Sequence, residues 1–325
     1  MTVAAALAAY GDGHAPHKIS GWLIGMAIEQ LVKWWGDRPL SAITNATCQA
    51  YTRDRKNGIH AAKLLAARAR AATAGRDPAA VNVSPITDST PRRELAVLGA
   101  AVNWCVAEGR LVRPVPVWRP DKPEARDRWL TRGEVARLLW ATRKLDRSGG
   151  YLALFVRMAV YTGQRKEAIL GLQWQPNLAG GHVDLERGQI DFRKPGNQSD
   201  KRRSAIPIPP RLRIALTAAR TRTSQYVIEY RRPNATERAA GIQAIPVGDV
   251  KKALARAADL AGVPGVTAHV FRHTAVTWLV QGGVPLWEVA QFVRLTPEMI
   301  KTVYGHHAPD AFTNVLRVQS GRGRA

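Results

Sequence analysis

Cysteine is nearly absent from this chain. Cys48 and Cys105 are the only two among 325 residues, too few for a disulfide framework or a four-cysteine zinc site. No apolar run approaches the ~18 residues that would span a bilayer. Met1 to Ala9 is alanine-rich but lacks the basic start and longer apolar core of a secretory signal. Membrane and secreted classes are set aside, and a cytoplasmic protein is expected. Acidic residues are scarce too: 25 Asp and Glu stand against 48 Lys and Arg, a net charge of +23. The chain also has no Walker phosphate loop, no glycine-rich dinucleotide turn after a strand, and no Gly-x-Ser-x-Gly elbow.

With 46% hydrophobic residues, the positive charge sits on a folded body rather than on a disordered tail. A polyanion is the natural partner for such a body, and nucleic acid comes first. A basic protein without that role, or one that binds membrane surfaces, is the alternative on charge alone. The length suits two domains of about 150 residues each.

The first half reads as helices. Ile19 to Trp35 is mostly apolar and stops at the Gly36-Asp37-Arg38-Pro39 turn. Further helices are expected at Asn45 to Lys56 and Lys63 to Ala74. Another starts at Thr90-Pro91, a cap followed by proline at the first helical position, and runs to Gly109. Prolines 114, 116, 120 and 123 mark a semi-rigid linker. The second half opens on a capping box, Thr131-Arg132-Gly133-Glu134. Leu152 to Tyr161 is apolar nearly all round, as a buried helix is. Short strands are expected at His182 to Leu185, Gln189 to Phe192 and Arg203 to Ile208. Helices follow near 211–220, 249–261, 269–281, 285–293 and 297–304. The fold class is therefore mixed α+β, mostly α, with one small antiparallel sheet. The divisions expected are an extension at 1–18, a helical domain at 19–110, the linker at 111–126, a second domain at 127–317 and a tail at 318–325.

His269 and His273 have the four-residue spacing of a zinc helix, but Val270 stands where a metalloprotease needs glutamate, and no metal site is expected. What remains is a set of cations and one tyrosine. His269 and Arg272, three apart, share a helix face. Arg165 follows Tyr161-Thr162-Gly163 at a helix start, Lys201-Arg202-Arg203 leads into a strand, and Tyr304 ends the last helix. Each alone is an ordinary surface or packing residue. Together they are the parts of a metal-free phosphodiester transfer. Guanidinium groups bind nonbridging oxygens and stabilise the five-coordinate phosphorus. A tyrosine hydroxyl attacks, a lysine protonates the departing 5′ oxygen, and a histidine assists proton transfer.

Three blocks in order, Tyr161-Thr162-Gly163-Gln164-Arg165 with its trailing Leu172-Gln173-Trp174, His269-Val270-Phe271-Arg272-His273, and Val303-Tyr304-Gly305-His306, resemble the tyrosine recombinases of the phage-integrase family. The likeness of the second half covers about residues 128–317. The first half is similar, less specifically, to the family's SAM-like core-binding domain. The resemblance implies a C-shaped clamp on double-stranded DNA, a 3′-phosphotyrosine intermediate, a synaptic tetramer, and no metal or nucleotide cofactor. Accessory DNA-bending or excision factors belong to the same expectation. Carried over by position, Arg165 and Arg272 clamp the phosphate, His269 is the histidine of the second block, and Tyr304 is the nucleophile. The lysine belongs to the hairpin after the first block: Lys201 is preferred and Lys194 is the alternative.

Two positions depart from the family. Leu295 stands nine residues before the nucleophile, where histidine or tryptophan is usual, and Ala168 replaces a frequent acidic residue, with Glu167 one position early. An integrase of a prophage or mobile element is the main expectation. A catalytically silent DNA-binding protein and a type IB topoisomerase-like enzyme are the alternatives.

Overall fold

The computed structural model describes the chain except residue 19 and residues 123–127, 147, 179, 193–204, 232–234, 242–243 and 308–325. The chain divides into two compact units, Met1–Ala125 and Arg126–Ala325. No helix among the described residues is long and apolar enough to cross a membrane.

The first unit is built from α1 (Val3–Gly13), α2 (Gly21–Trp35), α3 (Asn45–Thr73) and α4 (Ser89–Ala107). The stretch expected as an N-terminal extension contains α1. The Thr2 hydroxyl caps it by accepting from the Ala5 amide at 3.1 Å, and Val3, Leu7 and Tyr10 put one apolar stripe into the core. That stripe meets Leu31 and Trp35 of α2 and Leu95, Leu98 and Val102 of α4. Each fully buried leucine adds about 2 kcal/mol to such a core.

The two helices expected across 45–74 are one. α3 starts with a Thr44–Thr47 capping box and runs 29 residues through Gly58. A Cβ at Gly58 would meet nothing within 4 Å, so the glycine merely weakens an exposed stretch by about 1 kcal/mol and does not stop it. Only Cys48, Tyr51, Thr52 and Ala71 of α3 are buried.

One polar cluster ties α3 to α4. Glu94 is 5% exposed, accepts from the Tyr51 hydroxyl at 2.7 Å, and takes the Arg55 guanidinium through Nε at 3.0 Å and Nη2 at 2.9 Å. Burial, and then the neighbouring Glu94 carboxylate, push the Tyr51 phenol well above its ordinary value. Both cysteines lie in this unit as buried free thiols. Leu111, Val115, Val117 and Trp118 of the proline-rich stretch pack against the same core.

The second unit comprises α5 (Arg132–Thr142), α6 (Gly149–Thr162), α7 (Lys166–Leu170), β1 (His182–Asp184), β2 (Gln189–Asp191), β3 (Ile206–Pro207), α8 (Pro210–Arg220), β4 (Glu229–Arg231), α9 (Ala235–Ala239), β5 (Ile245–Pro246), α10 (Lys251–Ala261), α11 (Ala268–Gln281), α12 (Leu286–Val293) and α13 (Pro297–Tyr304). The nearly all-apolar α6 lies at its centre and packs on α5, α8 and α11. The expected capping box forms, with the Glu134 carboxylate accepting from the Thr131 amide at 2.8 Å. Strands β1, β2 and β3 form an antiparallel sheet in that order, with Val183 opposite Ile190 and Ile190 opposite Ile206. A second antiparallel pair, β4 with β5, was not expected. Its support is Glu229, 5% exposed, which accepts from the amides of Ser224, Gln225 and Tyr226 at 2.7–3.0 Å. A second apolar cluster joins Val276 and Val280 of α11, Val289 and Val293 of α12, and Ile300 and Tyr304 of α13.

Replacing Glu94 by alanine leaves the Arg55 charge and the Tyr51 hydroxyl without their buried acceptor. The expected loss is about 3 kcal/mol of stability, measured as a lowered denaturant midpoint of the first unit by tryptophan fluorescence.

Candidate active site

The first sequence block forms the corner between α6 and α7. Thr162 ends α6 with its hydroxyl donating to the Met158 carbonyl at 2.7 Å. Gly163 caps the helix in the left-handed region, with φ of +62°. There is no room for a side chain: a Cβ at Gly163 would sit 2.9 Å from Val293 Cγ1 and 3.2 Å from Ala275 Cβ. Gln164 is 4% exposed, and its amide donates to the Phe292 carbonyl at 3.0 Å. Arg165 follows as the N-cap of α7.

The second block is the first half of α11. Arg272 is 4% exposed. It donates from Nη1 to the Gly163 carbonyl at 2.8 Å and from Nη2 to the Arg294 carbonyl at 3.5 Å. Its guanidinium thereby spans the α6–α7 corner and the α12–α13 turn.

Arg165, His269 and Arg272 line one cleft of about 460 Å³, together with Gln164, Thr267 and Lys251. The structure thus brings together three of the five residues expected to do chemistry. Removal of water by the cleft walls, then the charges of Arg272 and Arg165, hold the His269 imidazole below the ordinary histidine value. A cation-rich cleft that disfavours one more proton is suited to an anion.

The third block ends α13. Thr296 caps that helix by accepting from the Met299 amide at 3.3 Å. Tyr304 is 4% exposed and packs in the cluster of α11, α12 and α13, against which Leu295 and Val303 also lie. Leu295 therefore keeps the packing part of the position it occupies, though an alkyl group donates no hydrogen bond. Tyr304 is not in the cleft lining. Its hydroxyl is 2.8 Å from His273 Nδ1, and the His273 ring meets the His269 ring edge to face at 4.6 Å between centroids.

Sequence reasoning took His273 as a rejected metal ligand and as the end of the second block, and gave it no part in the chemistry. Its spacing from His269 puts both rings on one face of α11, a signal compatible with this role as well. Arg294, also missed, has φ of 59°, the one positive value among the described non-glycine residues. Its guanidinium lies 5.9 Å from the centre of the Phe192 ring. Glu167 pairs with Lys166 at 3.5 Å, and Lys166 also reaches Asp249 at 3.1 Å. Lys201 and Lys194 lie outside the described residues. Among the described residues no group of three or more His, Cys, Asp or Glu could hold a metal ion.

Residues 128–309 match the phage integrase family, and the chain belongs to that family. It is 26% identical over 262 residues to the integrase of Salmonella phage P22, covering 75% of this chain and 60% of that protein. This chain thus spans less than two thirds of that relative. A shorter match, 35% over 107 residues, is to a shufflon-specific DNA recombinase of Escherichia coli and covers 32% of this chain and 26% of that protein.

Two solved structures share the fold. The Tn1549 transposon integrase in complex with circular intermediate DNA aligns with a TM-score of 0.66 at 15% identity, covering 99% of each chain. A lambda integrase tetramer bound to a Holliday junction aligns at 0.64 and 18% identity, covering 95% of this chain and 78% of that one. The mostly helical, mixed α+β architecture is therefore that of the tyrosine recombinases.

Two outcomes follow from this geometry. Gly163→Ala is expected to destabilise the second unit by ~1–3 kcal/mol, because its Cβ overlaps α12 and α11 and its backbone is strained; thermal unfolding checks it. The His269 imidazole is expected to titrate below 6.5 in the free protein. The unfolded chain takes up that proton more readily, so the contribution of His269 to folding falls as pH drops below about 6.5. Histidine NMR over a pH series of the free protein measures that titration.

Proposed function

We propose that this protein is a site-specific DNA recombinase that cleaves and rejoins duplex DNA through a 3′-phosphotyrosine, serving a prophage or other mobile element. The observation that carries this reading is the convergence of Arg165, His269 and Arg272 on one cleft, with Tyr304 joined to it through a second histidine.

In this reading Arg165 and Arg272 hold the nonbridging oxygens of the scissile phosphate. Arg272 is fixed in advance by two backbone carbonyls, so little reorganisation accompanies the build-up of charge on phosphorus. His269, which lines the same cleft, has an N–H donor for a phosphate oxygen. Tyr304 attacks, and a lysine of the β2–β3 hairpin, Lys201 ahead of Lys194, protonates the 5′ oxygen as it leaves. The phosphoester keeps the bond free energy, so a 5′ hydroxyl from another strand can reverse the step without a nucleotide cofactor. Synapsis of two duplexes by a tetramer completes the proposal. The transposon and lambda integrases that share this fold are seen with circular intermediate DNA and, as a tetramer, on a Holliday junction. Basic residues Arg53, Lys56, Arg68 and Arg70 along α3 supply contacts to the phosphate backbone, which position the protein without reading sequence.

The test uses nicked duplexes tiled across the DNA that flanks the protein's own gene, with the cleaved fragment free to diffuse away. An SDS-resistant protein–DNA adduct that disappears in Tyr304→Phe is the expected result. Specific binding with no adduct would instead identify a silent scaffold, and relaxation of single duplexes without joining would point to a topoisomerase-like enzyme. Lys201→Ala is expected to block an ordinary substrate and to recover on one whose 5′ leaving atom is sulfur. That pattern in Lys194→Ala would move the role to Lys194.

A further inference from the structure

Resting on the reading above, we infer that His273 is a catalytic residue: it accepts the phenolic proton of Tyr304 during attack and returns it during rejoining. The reasoning starts from which group touches the reacting atom. In this structure the Tyr304 hydroxyl is 2.8 Å from His273 Nδ1, whereas His269 lines the cleft beside Arg165 and Arg272. The two histidines are one helical turn apart on α11, with rings 4.6 Å apart. They divide the work by position, one facing the phosphate and one facing the nucleophile.

A phenol is a poor nucleophile while it keeps its proton, and cation charge alone does not remove the proton to a defined place. With the imidazole hydrogen on Nε2, His273 Nδ1 accepts the Tyr304 O–H bond. As Tyr304 Oη bonds to phosphorus, that proton passes to Nδ1. The P–O5′ bond breaks with its electron pair on the 5′ oxygen, which takes a proton from the hairpin lysine. In rejoining, the 5′ hydroxyl attacks phosphorus and gives its proton back to the lysine, while the imidazolium of His273 protonates the departing tyrosine oxygen. Atoms and charge balance in both directions with no further reactant.

Burial supports the assignment. Tyr304 is 4% exposed and lies among valines and Ile300, where bulk water is a poor acceptor for its proton. The His273 imidazole is a base already within hydrogen-bond reach of it. Leu295, which packs against the same cluster, has no proton-accepting side-chain group.

The experiment is single-turnover adduct formation by the full chain on the nicked duplex, with His273→Ala, His273→Gln and wild type run together. His273→Ala is expected to slow the adduct ~10²–10³-fold, the usual worth of a general base. His273→Gln keeps a side chain that hydrogen-bonds Tyr304 but takes no proton, and should remain within about tenfold of the alanine variant. A sulfur leaving atom should rescue neither. A fluorinated tyrosine at position 304, whose phenol ionises near neutral pH, should restore the rate of His273→Ala by roughly tenfold or more and change the wild type little. A merely structural histidine would not respond to the acidity of the nucleophile. Wild-type or faster rates in His273→Ala, or in His273→Gln, overturn the inference. Salt-dependent DNA binding and thermal unfolding of both variants show that they are folded. If the wild type itself forms no adduct, the proposed function fails first, and the two failures are thereby distinguished.

Discussion

The Arg272 guanidinium is 4% exposed, and a cation so far removed from water is tolerated only where oxygens replace its hydration. Two main-chain carbonyls do this, Gly163 on one side and Arg294 on the other. Gly163 can present its carbonyl there because it has the left-handed φ and no Cβ to meet Val293. Gln164 repeats the connection by bonding to the Phe292 carbonyl. The α6–α7 corner, α11 and the turn before α13 are therefore held together by polar bonds that also set the cleft. Weakening this charge would loosen the site and the helix packing at once.

Much of this was visible in the order of residues. Thr131 with Glu134, the apolar run of α6, Thr296-Pro297 and the short β1–β2 hairpin are local signals, each decided within a few residues by capping, periodicity or turn chemistry. The blocks that place Arg165, His269 and Arg272 are also local, and the structure brings those three to one cleft. What escaped depends on distant partners. α1 reads as a short alanine-rich stretch until Val3 and Leu7 find α2 and α4. Strands β4 and β5 are too short to show alternation, and Glu229 becomes a structural centre only when the turn amides close on it. His273 is bonded to a residue 31 positions away, and no local pattern announces that bond. The stretches 45–56 and 63–74 read as separate because the residues between them carry no apolar pattern, yet they belong to one exposed helix.

The two units use buried polarity differently. In the first, Glu94 gathers Tyr51 and Arg55 and fixes how α3 leaves the core, so that the remaining turns of a 29-residue helix carry their basic residues outward. In the second, buried polar groups hold the cleft arginine and the tyrosine-bearing helix. Each of the two cores thus has its own internal polar tie.

The placement of Cys48 and Cys105 gives the molecule a natural reporter. Both thiols are buried in the first unit, and burial pushes both above the ordinary thiol range, so neither offers much thiolate to a reagent in the native state. The second unit contains no cysteine. Thiol labelling therefore registers opening of the first core alone and stays silent when the second unit breathes. The chain carries, without any engineering, a probe that tells which half of it has come apart.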